Sequence, residues 1–251
     1  MGALVACLAS LLAFACMPGD PFPGYNADQL WESGSAAFEA ENWDDAILAF
    51  ERLTSQSPGY SRAPDARMLL ARAHEARGEY LSAASEYENF LRIHYNNPMA
   101  PDASLGMCKA YAQLSPISQR DQSPTRTALD ACARTVLEFQ AFAVAQEAEK
   151  VRLQMVDKLA MAAFGHADFY RGRGCLPCAV NYFDEGVVLE YPTTDWAPRA
   201  LLAMYHAYQE LGWDEEEGET ADRLIFNFPE SEWAAQLQAE QAAAQDADSG
   251  Q

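Results

Sequence analysis

The sequence predicts an all-α chain of stacked helix pairs. Three observations carry this reading. From Tyr25 onward apolar residues recur at helical spacing, and nothing alternates with period two over a useful length. Ala46, Phe50, Leu53 and Pro58 are spaced 4, 3 and 5, a small residue for a close helix crossing and a proline to stop the helix. The pattern returns 37 positions on, from Ala46 to Ala83. This is the signature of a tetratricopeptide unit. About five units fit the chain, which predicts an α-solenoid wound as a right-handed superhelix.

Composition agrees with one continuous folded body. Apolar residues make up 49% of the 251 and charged residues 22%, an ordinary globular balance. Acids outnumber bases 37 to 17, for a net charge of −20. No Lys/Arg-rich stretch offsets this, so the chain repels phosphate backbones and nucleic acid is excluded as a partner. Six cysteines are too few for a disulfide framework, and two of them fall in the first sixteen residues.

Residues 1–16 carry no charged side chain and end in small residues followed by Cys16. The stretch is shorter than the roughly 20 residues needed to span a bilayer. It reads as a secretory signal over residues 1–15. Leu12-Ala13-Phe14-Ala15-Cys16 resembles a bacterial lipobox, in which the cysteine is lipidated and opens the mature chain. The leucine lies one residue further from the cysteine than the pattern wants. No Lys or Arg precedes the apolar run, which points to a start codon upstream of Met1. Cys7, after Leu4-Val5-Ala6, is the alternative lipidation site, but cleavage there leaves an apolar mature end from Leu8 to Phe14. An ordinary cleaved signal, or a free N-terminal Cys, is the other alternative. Cys16 and the Pro/Gly-rich run after it, residues 16–24, form a tether.

The repeats occupy residues 25–233. Unit one carries Gly34 and Trp43 at its expected glycine and aromatic positions, before Ala46, Phe50, Leu53 and Pro58. Unit two uses Tyr80, Ala83, Tyr87, Phe90 and Pro98. Unit three is split, with helices at about 100–114 and 124–140. Between them, Ser115 to Arg126 is a polar insert that ends with Ser123 as N-cap and Pro124 in the first helical position. After Phe142 some thirty residues can run helically to about Arg171, giving unit four a long first helix before Gly174, Ala179, Phe183 and Pro192. Unit five is weaker, with Leu211-Gly212-Trp213, Ala221, Leu224 and Pro229. Residues 234–251 lose their apolar face and are expected to fray.

This order of parts, from lipobox and tether through the split third unit to the long helix, resembles the BamD family of the outer-membrane β-barrel assembly machinery. Local strings carry the resemblance: Ala63-Pro64-Asp65-Ala66, Phe90-Leu91-Arg92-Ile93-His94, Arg120-Asp121-Gln122-Ser123-Pro124-Thr125, Ala167-Asp168-Phe169-Tyr170, Glu190-Tyr191-Pro192-Thr193, and Asn227-Phe228-Pro229-Glu230-Ser231-Glu232-Trp233. Tyr95 stands where the second unit would usually carry a proline. The resemblance implies a non-catalytic lipoprotein with no cofactor, anchored to the outer membrane and facing the periplasm. Its later repeats would contact the periplasmic domains of the barrel-forming subunit, alongside accessory assembly lipoproteins. Its first repeats would receive the C-terminal signal strands of unfolded outer-membrane proteins. The alternative is another periplasmic tetratricopeptide lipoprotein, serving pilus secretin assembly or envelope and cell-division coordination.

Groove-facing positions on the first helices fall at Trp31, Ser35 and Phe38 in unit one and at Met68, Arg72 and Glu75 in unit two. Aromatics and a methionine beside an arginine suit an extended peptide with apolar side chains and a terminal carboxylate. Alternatively, Trp31 and Phe38 pack on neighbouring helices. Arg62, Arg67, Arg72 and Arg77 make this the one locally basic stretch, either a match for an acidic surface or a solvated face.

Cys175-Leu176-Pro177-Cys178 stands at a predicted helix start, where the helix dipole favours a thiolate. Redox work needs a thioredoxin-like βαβ context that this chain lacks, which leaves a disulfide between i and i+3 or two free thiols. Zinc would need two further ligands, and only His166 is near. Cys108 and Cys132 are either a disulfide or two small buried residues. The acidic run Asp214-Glu215-Glu216-Glu217 lacks the alternating oxygen-ligand spacing of a calcium loop and reads as a solvated first turn. His74, His94, His166 and His206 are scattered and read as structural.

Overall fold

The computed structural model describes residues 21–249. The signal segment, Cys7, Cys16 and the tether up to Asp20 lie outside the described residues. The rest is helical: α1 (Ala27–Glu39), α2 (Trp43–Gln56), α3 (Ala63–Ala76), α4 (Tyr80–His94), α5 (Ala100–Gln113), α6 (Ser123–Glu138), α7 (Ala143–Gly172), α8 (Leu176–Phe183), α9 (Trp196–Leu211), α10 (Asp214–Asn227) and α11 (Glu232–Ser249). No strand occurs among the described residues. The helices from α1 to α10 pack chiefly on their neighbours in the chain, α11 rests on α9 and α10, and first helices also touch across units, α5 on α7 and α7 on α9. Five helix pairs, α1–α2 to α9–α10, thus stack as a solenoid.

Local signals place the ends. Asn26 accepts from the Gln29 amide at 2.9 Å while Gln29 reaches back to the Asn26 amide at 3.0 Å, closing a capping box on α1. The chain leaves α9 through Gly212, whose φ of 69° suits a residue without Cβ. Inside unit one, Gly34 lets α1 approach the fully buried Phe50 ring of α2. Small residues do the same work throughout, with Ala46, Ala49, Ala83 and Ala84 all fully buried at crossings.

The second helix of the third unit, α6, starts one residue before its expected position. Ser123 is already helical, and its hydroxyl and amide both donate to Asp121 Oδ1, at 2.9 and 3.2 Å. Asp121, not Ser123, therefore satisfies the helix entrance. The insert is pinned from inside by buried Gln122, whose amide donates to the Ile117 and Arg120 carbonyls at 2.9 Å each. Lys158 of α7 donates to the Ser115 carbonyl at 2.9 Å and ties the insert to the long helix.

Among the described residues, the chain after residue 233 does not fray as expected. It continues α11, and Ala234 and Leu237 are fully buried in the C-terminal core beside α9 and α10. His206 and Glu240 add a contact at 2.8 Å. Two buried side chains and one polar contact anchor the early turns, an apolar face too short to show as a periodic stripe. No described helix is long and apolar enough to cross a membrane.

Candidate functional site

The first-helix positions of units one and two serve mainly to pack. Trp31 lies partly buried, with its ring 5.9 Å from that of Phe50 and the Arg62 guanidinium 5.0 Å from its centroid. Phe38 stands edge-on to Trp43 at 5.2 Å. Ser35 Oγ is buried with no hydrogen-bond partner among the described residues. Met68 does not face a groove. It is 3% exposed, packed in the second core with Tyr87, Phe90 and Met107. The cause is that α3 is an interior helix with two buried faces, Leu70 and Ala73 toward unit one and Met68 and Ala71 toward unit three. A single-stripe register therefore misplaces it. Arg72 is exposed, and Glu75 accepts a 2.8 Å hydrogen bond from the buried Tyr87 hydroxyl. Burial pushes the Glu75 carboxyl above its ordinary value, against the downward pull of that bond and of Arg72.

A concavity lies further along the solenoid. A groove of about 960 Å³ opens between the insert, the second half of α7, the turn after α8 and the start of α9. Its apolar floor includes Leu159, Met161, Phe164 and Trp196, and Arg120, Arg126 and Arg199 stand around it against Glu185 and Glu190. None of the three arginines has an ion-pair partner among the described residues. A net positive rim in a chain of −20 is a local inversion of charge.

Arg199 is the hub. Its guanidinium lies 4.9 Å from the Phe164 ring centroid, 5.1 Å from Trp196 and 5.3 Å from Trp233. These faces orient the cation by their quadrupoles while leaving its five donors free for a carboxylate. Two smaller concavities, of about 210 and 550 Å³, also meet at Arg199. The segment Asp184–Val188 after α8 is a π-turn, and its Glu185 and Gly186 form part of the rim. Such turns re-aim side chains where a helix borders a site. Sequence reasoning missed this groove. Only the Trp196–Arg199 spacing was visible locally, because Phe164 and Trp233 lie more than thirty residues away on either side.

The four cysteines among the described residues form two bridges. Cys108 and Cys132 join α5 to α6, both fully buried, and Cys175 and Cys178 close the start of α8. His166 does not approach them as a ligand. It stacks on Tyr170 and Tyr182 at 5.5 and 4.8 Å. No group of side chains suited to a metal ion occurs among the described residues. The acidic residues 214–217 form the first turn of α10, with Asp214, Glu215 and Glu216 exposed and Glu217 half-buried.

With this arrangement in view, the chain's likenesses become informative. The sequence pattern of the YfiO family, described as outer membrane lipoprotein, matches residues 23–224. The chain belongs to the YfiO family. The match spans all five helix pairs up to the last turn of α10 and leaves α11 outside. Among relatives, the chain is 26% identical over 205 residues to the outer membrane protein assembly factor BamD of Caulobacter vibrioides, covering 81% of this chain and 67% of that one. It is 24% identical over 205 residues to the BamD of Rickettsia prowazekii, with 81% of each chain covered. A TPR repeats protein from Bacteroides fragilis shares 13% identity, with 87% of this chain and 99% of that one covered and a TM-score of 0.48.

Proposed function

We propose that this YfiO-family chain is a non-catalytic assembly factor for outer-membrane β-barrel proteins, lipid-anchored through Cys16 and facing the periplasm. In this reading the Arg199 groove receives a carboxylate-bearing segment of the barrel-forming subunit's periplasmic domains, and accessory lipoproteins join the same complex. The first two repeats receive the signal strands of unfolded clients, with Arg72 the exposed cation for a terminal carboxylate. The observation that carries the reading is the unpaired Arg199 held by three aromatic rings at the meeting point of three concavities. Relatives named as outer membrane protein assembly factors support the cellular role.

The test is recovery of the barrel-forming subunit from solubilised membranes with tagged wild-type, Arg199→Ala and Arg199→Glu chains. Loss of one charge-assisted contact, about 1.5–3 kcal/mol, weakens association about tenfold or more. Arg199→Glu is expected to be the worse of the two, and Arg134→Ala, away from the groove, leaves recovery unchanged. Equal recovery with all variants overturns the assignment of the groove.

A further inference from the structure

The tether does not run free up to the first helix. Phe22 is buried at 8% exposure in the core of unit one, and its ring lies 5.5 Å from Tyr25. Arg52 of α2 donates to the Phe22 carbonyl at 2.8 Å. The chain is thus held five residues before α1 begins, against the end of the solenoid where no earlier repeat covers the core.

We infer that this clamp, and not the helix start, sets how the protein stands on a membrane: unit one is held close to the lipid surface by the edge that carries Phe22. The inference rests on the lipid-anchor reading of Cys16. From Cys16 to Phe22 there are six residue steps, a reach of at most about 20–22 Å. A tether free as far as Asn26 would reach about 33–36 Å and could leave any edge of the repeat toward the membrane. A turn and a side-chain hydrogen bond define the near edge. The three-residue turn 40–42 reverses the chain between α1 and α2, so the start of α1 and the end of α2 share one side. Tyr60, in the turn after α2, donates to Asp28 at the start of α1 at 2.7 Å. The far edge, at Ala40, lies one helix of 13 residues away, about 20 Å. The occupant of the space beyond Phe22 is the membrane surface itself. The acids of unit one do not bind it, and their repulsion from anionic lipid is screened beyond about 8–10 Å.

The experiment uses the lipidated full chain, expressed behind a lipoprotein leader and reconstituted in phosphatidylethanolamine/phosphatidylglycerol vesicles. The four body cysteines are paired, so a fluorophore can be placed on a new thiol at Ser61→Cys or Ala40→Cys, both exposed. Headgroup-nitroxide lipids are expected to quench the Ser61 label at least twofold more than the Ala40 label. Phe22→Ala combined with Arg52→Ala should erase that difference, as should ten Gly/Ser residues inserted between Asp20 and Pro21, which leave the folded body untouched. Equal quenching at the two positions in the wild type overturns the clamp, as does a difference that survives the insertion. Flotation separates the two readings: a wild-type chain that does not float with vesicles overturns the anchor and the clamp together, whereas a floating chain with equal quenching overturns the clamp alone.

Discussion

Gly34 lies directly under the ring of Phe50. A Cβ at Gly34 would stand 2.7 Å from the Phe50 Cε1 atom and 2.9 Å from Cδ1, and the ring is fully buried with no room to retreat. The glycine expected from the repeat pattern is therefore fixed by contact with its partner helix, not by backbone conformation.

Gly34→Ala is accordingly expected to destabilise the chain despite alanine's better helix propensity. Overpacking costs about 1–3 kcal/mol, and the propensity gain returns at most about 1 kcal/mol. Urea denaturation of the purified body should show a lower midpoint. The double variant Gly34→Ala with Phe50→Leu, which gives the new methyl space, should recover part of the loss.

The two disulfides should differ in what they contribute. Cys108–Cys132 closes a sequence separation of 24 and Cys175–Cys178 one of 3. Loop-closure entropy alone assigns about 3.5 kcal/mol to the first and about 2 kcal/mol to the second. Replacing Cys108 and Cys132 by Ala should lower the thermal midpoint more than replacing Cys175 and Cys178. Mild dithiothreitol should open the partly exposed Cys175–Cys178 pair before the buried one, as read by mass shift after alkylation.

Glu75 gives the pH dependence a sign. Its carboxyl is raised above the ordinary 4.5, chiefly by burial. Between 4.5 and the raised value the folded chain binds more protons than the unfolded one. Stability attributable to this group is therefore present at low pH and falls as pH climbs through that window. Glu75→Gln, which keeps an acceptor for the Tyr87 hydroxyl, should raise stability at pH 7 relative to wild type and leave it little changed near pH 4. A variant that is less stable than wild type at pH 7 would show that the charged form is favoured there.

Much of the architecture was legible from residue spacing. Gly34, Ala46, Phe50 and Leu53 describe one helix hairpin, and the same spacing around Ala83, Tyr87 and Phe90 describes the next. The long α7 could be read from the run of helical periodicity after Phe142. Met68 could not be placed, because an interior helix buries two faces and a single stripe does not say which neighbour a residue meets. The tail after residue 233 was misread for the opposite reason. Ala234 and Leu237 dock α11 with too few apolar residues to make a period.

By itself the sequence determined the helices, their pairing and the excess negative charge, since these depend on contacts within about forty residues and on composition. Only the tertiary structure decided that Phe164, Trp196 and Trp233 enclose Arg199, that Arg120 reaches the same rim, and that Phe22 returns to Arg52. These groups come from separate helices and loops. Their meeting depends on how successive pairs rotate as they stack, and that rotation is set by the summed packing of many small residues such as Gly34 and Ala46.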